Sequence, residues 1–85
     1  YGETITDEVV AYIEAKKFDP CCIDLMRSAI EEEGHKVVEV GVFQKENYFI
    51  VHGIFESDIE EMTDVRSRIL IRFFKKLNDS TNLSS

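Results

Sequence analysis

The sequence predicts an α+β domain ordered helix, helix, β-hairpin, long helix (α-α-β-β-α), and three observations carry that prediction. Two helix starts marked by Thr6 and by Asp19-Pro20 open the chain, two alternating apolar runs follow Gly34, and a broad apolar stripe fills the segment after Ser57. Its 85 residues with 44% hydrophobic content fit one small domain, since a chain of this length buries about 60–65% of the surface its unfolded form exposes. We read residues 1–78 as that domain and 79–85, DSTNLSS, as a flexible polar tail.

For the first element, Thr6 precedes Asp7 and Glu8 and then apolar Val9, Val10, Tyr12 and Ile13, which reads as a cap, an acidic first turn and a helical stripe ending near Lys17. In the second, Asp19 caps and Pro20 takes the first helical position, where its missing N–H costs nothing. Phe18 is placed to staple onto Ile23. This helix runs through Cys22, Met26, Ala29 and Ile30 to Gly34, a left-handed terminus following the run Glu31–Glu33. On its wheel Cys22 lies on the apolar stripe and Cys21 at its edge, so Cys22 is expected in the core and Cys21 at the surface.

After Gly34 the period becomes two. KVVEVGVF (36–43) and YFIVHGIF (48–55), separated by QKEN, form a hairpin signal with a four-residue loop. Pairing Phe43 with Tyr48 puts Val38, Val40, Val42, Phe49 and Val51 on the face that seats the helices. The second face then carries Val37, Glu39, Gly41, Phe43, Tyr48, Ile50, His52 and Ile54, with Glu39 opposite His52. The last helix is expected from a capping box at Ser57 and Glu60 to about Asn78. Its apolar positions, Ile59, Met62, Val65, Ile69, Leu70, Phe73, Phe74 and Leu77, span about 180° against the roughly 100° that one core needs. Arg66 falls inside the stripe and needs a carboxylate partner or a snorkelling route to water, Ile71 falls outside it, and Arg68, Arg72 and Lys75 line the opposite face.

The order of helix, Pro20, helix and hairpin resembles, over about half of the chain, the layout of small subunits of general transcription factors. No motif beyond the helix-starting proline is shared, and no residue role is carried over.

These features bound the function. Adjacent cysteines cannot staple distant segments, which implies a reduced, intracellular protein, cytoplasmic or nuclear. No apolar run approaches the roughly 18 residues of a membrane span, so a membrane is not expected as a partner. A net charge of −7, from 17 acidic and 10 basic residues, repels phosphate backbones and makes nucleic acid an unexpected partner. Phosphate-cradling, zinc-protease, EF-hand and hydrolase-elbow motifs are all absent, so no catalytic residues, metal, cofactor or small-molecule substrate is expected. A start at Tyr1 without Met fits a segment of a larger parent chain.

A lone hairpin is marginal in water, and its second face and the wide last helix both need cover. The chain is therefore expected to be a non-catalytic dimerisation or docking module. Partner contacts are placed at Leu70, Phe74, Ile71 and Arg66 on the last helix, and at Tyr48, Ile50 and Ile54 on the hairpin. Phe73 is assigned to the core and Phe74 to the partner. The alternative is a small thiol-dependent enzyme or redox regulator using Cys21, which stands in a first helical turn but between Asp19 and Asp24.

Overall fold

In a computed structural model, which describes residues 4–58 and 64–83 with side chains described to residue 80, the chain is α+β but the order is not α-α-β-β-α. Strand β1 (Thr4–Glu14) leads through a 3₁₀ turn (Ala15–Lys17) to helix α1 (Cys22–Glu32). Strands β2 (Lys36–Lys45) and β3 (Tyr48–Asp58) follow, and helix α2 (Val65–Leu83) closes the order. The expected first helix is therefore a strand. Six of its eleven residues, Thr4, Ile5, Thr6, Val9, Val10 and Ile13, are β-branched, which restricts χ1 on a helix and packs well on a pleated surface. Its buried residues, Val9, Ala11 and Ile13, recur with period two. With β1 in place of the helix, the resemblance to transcription-factor subunits does not hold.

β3 is the central strand of a three-stranded antiparallel sheet ordered β1-β3-β2. β1 and β2 are consequently parallel to each other with β3 between them, a split βαβ arrangement whose crossover is α1. This settles part of the instability expected of a lone hairpin, because β1 covers the edge of β3 from Thr4 opposite Asp58 to Glu14 opposite Tyr48.

The hairpin turn is also tighter than expected. Lys45 pairs with Tyr48, leaving Glu46 and Asn47 as a two-residue loop in which Glu46 takes φ +54°, the left-handed conformation such loops require. Phe43 therefore faces Ile50 and Gly41 faces His52, replacing the expected Phe43–Tyr48 and Glu39–His52 pairs. The register moves by two residues, so each side chain keeps its face. At a bulge between Val37 and Glu39 the faces do exchange. Val37 joins the core side and Val38 is left 54% exposed, the reverse of the expected assignment.

Both helices cover one face of the sheet. α1 buries Cys22, Met26, Ala29 and Ile30, and crosses β3 at Gly53, where a Cβ would stand 2.6 Å from Ile30 Cδ1 and 3.1 Å from Met26 Cγ. α2 contributes Val65, Ile69, Phe73 and Leu77, a stripe at every fourth residue that is narrower than its apolar composition suggested. Phe55 and Phe73 are the largest fully buried side chains, each stabilising the fold by about 1.5–3 kcal/mol relative to exposure.

α1 begins two residues later than expected: Pro20 and Cys21 lie in the turn that leads into it, and Asp19 Oδ1 accepts the Cys21 N–H at 2.8 Å within that turn. Its end is a Schellman motif, in which Gly34 (φ +86°) donates to the Glu31 carbonyl and His35 to that of Ile30. The Phe18 ring stacks on Phe49 of β3 with centroids 3.9 Å apart and packs against the core. Ser57 is no helix cap but a buried residue of β3, and Ile59, Glu60 and Met62 lie outside the described residues. α2 runs through the expected polar tail as far as Leu83.

Candidate functional site

Among the described residues, no element covers the face of the sheet opposite the helices, and the strand register determines what it displays. Tyr12 on β1 and Phe43 on β2 both stand opposite Ile50 on β3, and the next row is Val10, His52 and Gly41. Tyr12 and Phe43 are 64% and 53% exposed, yet Ile50 between them is only 6% exposed, because the two rings flank it. Glu8, Val10, Tyr12, Phe43, Ile50 and His52 together line a shallow depression of about 310 Å³.

His52 is held by shape as much as by charge. Its ring lies over Gly41, where a Cβ would meet Nε2 at 2.6 Å, and 6.2 Å from the Phe43 ring. Glu8 Oε2 approaches Nδ1 at 3.5 Å, an ion-pair distance when the imidazole is protonated, but Nδ1 is buried and makes no hydrogen bond. Gly41 is thus the residue that allows an imidazole to lie flat on the sheet.

Carboxylates rim this apolar floor. Glu8 and Glu14 come from β1, Glu39 from β2 and Glu56 from β3, against Lys36 and Lys45. Several cations elsewhere are already engaged. Arg68 and Arg72 bind Glu33, and Arg72 and Lys76 bind Glu32, joining the last turn of α1 to one side of α2. Hydrogen bonds from Arg72 and Arg68 hold the Glu33 carboxyl below its ordinary range, and Lys76 followed by Arg72 does the same for Glu32. Arg68, Arg72 and Lys76 of the last helix thus find carboxylate partners within the chain, at Glu32 and Glu33.

The residues expected to bind a partner fall on two separate surfaces. Tyr48 (47% exposed), Ile50 and the half-buried Ile54 lie on the open sheet face. On α2, Leu70 packs partly against the core, while Ile71 and Phe74 are 69% and 43% exposed. Phe73 is fully buried, so the two adjacent phenylalanines divide as their wheel positions require. Arg66 is largely exposed and has its carboxylate in Asp7 of β1, at 3.7 Å. The second face as read from the hairpin alone lacked Val10, Tyr12 and Glu8, which β1 supplies. The β-branched content of residues 4–13 was the signal in the sequence that pointed toward them.

Cys22 is fully buried and Cys21 exposed, both as free thiols. Asp19, hydrogen-bonded to the Cys21 thiol, raises its pKa, opposite to the direction that activates a nucleophilic cysteine. Among the described residues, no group of three or more His, Cys, Asp or Glu could hold a metal ion. Among them, too, no helix is long and apolar enough to cross a membrane. Comparison of the chain with protein-family models, curated proteins and solved structures gave no match.

Proposed function

We propose that this chain is a non-catalytic protein-interaction module that receives a basic, apolar-faced protein segment on the open face of its sheet. The observation that carries this reading is the Tyr12–Ile50–Phe43 row, an aromatic floor left uncovered at the middle of the sheet and ringed by Glu8, Glu14 and Glu39. Exposed aromatic side chains in one contiguous patch are the groups that dominate binding energies, and a polar rim sets orientation and selectivity. The acidic rim selects cationic segments over phosphate backbones and over acidic proteins.

The test is a nuclear magnetic resonance titration of the labelled chain with a synthetic amphipathic Leu/Lys peptide and with its Leu/Glu counterpart. The Leu/Lys peptide is expected to shift Tyr12, Phe43, Ile50 and His52 in a saturable way, and Phe43→Ser to weaken that binding. Equal responses to the two peptides, or shifts confined to the helical side, would refute the assignment.

A further inference from the structure

We infer that the outer edge of β1 is a second interaction surface, and that its occupant is the β1 edge of another copy of this chain, paired antiparallel about Tyr12. The argument begins with one hydrogen bond. Ala15 N–H donates to the Asn47 carbonyl at 2.8 Å, extending the β1–β3 register by one residue past Glu14–Tyr48. Hydrogen-bonded pairs alternate along an antiparallel ladder, so the odd-numbered residues of β1 bond to β3 and the even-numbered residues turn their N–H and C=O groups to the free edge. Glu8 agrees with this, because its N–H donates to the side chain of Asp7 at 2.8 Å.

That local bond, with Arg66 beside Asp7, blunts the edge at its N-terminal half. Val10, Tyr12 and Glu14 remain. β1 carries no proline, lysine or bulge of the kind that protects edges, whereas β2 has both a bulge and terminal lysines. The unprotected half is also where an apolar groove of about 280 Å³ runs along the edge, between Tyr12–Glu14 and the side chains of Phe74 and Leu77 on α2. An added strand thus finds unpaired backbone and apolar side-chain contact at the same place.

Charge favours a second copy. Antiparallel pairing about Tyr12 sets Val10 opposite Glu14 and brings the Lys16–Lys17 end of each copy beside the Asp7–Glu8 end of the other. In this register even-numbered residues stand opposite even-numbered ones, so the groups that both partners direct to the edge face each other. A two-fold axis through Tyr12 closes the contact on itself and stops further growth. The product is a six-stranded sheet with all its helices on one side, and it joins two open faces into one. The pairing does not depend on what occupies those faces.

Light scattering across a micromolar concentration series should give twice the chain mass. Val10→Pro removes an edge-directed N–H without touching the bonds to β3, and by symmetry removes it twice, so it should weaken the dimer by about tenfold or more. Phe43→Ser, on the open face, should leave it intact. A cross-link keeps the test decisive if Val10→Pro does not fold: in a Cys21→Ser background, Tyr12→Cys should oxidise to a covalent dimer, because paired Cα atoms about 5.5 Å apart suit a disulfide. Val38→Cys, on the opposite edge, should not. A monomeric mass throughout the series, a folded Val10→Pro variant that still dimerises, loss of the dimer in Phe43→Ser, or cross-linking through position 38 in place of 12 would each overturn the proposal.

Discussion

Replacing Gly53 by Ala should destabilise the fold, and replacing Gly41 by Ala should not, although a Cβ at either position meets another atom at 2.6 Å. At Gly53 the obstacle is Ile30 Cδ1, with Met26 Cγ at 3.1 Å and Val9 Cγ1 at 3.5 Å, and Ile30, Met26 and Val9 are all buried in the core. The new methyl group gains about 0.8 kcal/mol from burial and about 0.4–1 kcal/mol from a stiffer unfolded chain. Against this stands an overpacking cost of about 1–3 kcal/mol, occasionally more. A contact at 2.6 Å between groups that cannot turn away places Gly53 at the upper end of that cost, for a net loss of about 1–2 kcal/mol. For a domain of this size that lowers the melting temperature by roughly 5–15 °C. Ile30→Val removes the obstructing methyl and costs about 0.5–1.5 kcal/mol alone; combined with Gly53→Ala it should restore stability, giving a coupling of about 1 kcal/mol. At Gly41 the obstacle is the His52 ring on the solvent side of the sheet, which can rotate, so Gly41→Ala should stay within about 0.5 kcal/mol of the parent. Urea and thermal melts of the four variants decide the matter. A Gly53→Ala variant at least as stable as the parent, or strictly additive effects with Ile30→Val, would show that α1 does not rest on β3 at Gly53.

Other expectations follow from burial and charge. Phe73→Ala should cost about 3–5 kcal/mol, the range for emptying a fully buried aromatic site, while Phe74→Glu should leave helical circular dichroism and the melting curve largely unchanged; equal losses in the two would contradict the rotation of α2. Cys22→Ser should lower stability by about 1–3 kcal/mol and Cys21→Ser hardly at all, which thermal melts will read directly. Glu32 and Glu33 are held below the ordinary glutamate value of 4.5, so their contribution is complete above that pH and is lost as pH falls through their lowered values. Acid unfolding curves should therefore shift for Glu33→Gln, which should lose stability at neutral pH and converge with the parent at low pH. A constant offset at all pH values would assign the effect to packing.

What could be read from the sequence follows the strength of the local signal. The Asp19-Pro20 turn and the Gly34 stop depend on residues with a special backbone role, and the hairpin on two alternating runs close in sequence, so all three are local signals. The face assignments of β3 came through a wrong loop length, because a register error of two preserves pleat parity. The stretch 4–14 was misread because Val9, Val10, Tyr12 and Ile13 satisfy both a helical stripe and a strand that shows apolar groups on both faces. What decides between them is the empty edge of β3, a partner that lies more than thirty residues away in sequence. That long-range pairing is invisible to a local window. The same error hid Tyr12 and Glu8 from the open face, since a residue assigned to a helix cannot be placed in a sheet row. The apolar arc read on the last helix is wider than the face α2 buries: Val65, Ile69, Phe73 and Leu77 enter the core, and Phe74 is left at the surface.

The two-residue turn at Glu46–Asn47 lets β2 and β3 zip together locally, on the microsecond scale of hairpins. β1 has no such route, because Thr4 must find Asp58 across everything between them, and the entropy of closing that loop falls due before any contact rewards it. During synthesis the disparity is larger still. At about 5–20 residues per second, β1 waits on the order of several seconds after leaving the ribosome for the strand it will pair with. Throughout that interval an apolar, β-branched segment is unpaired on both sides, so chains made close together on one message can meet through it before β3 is in place.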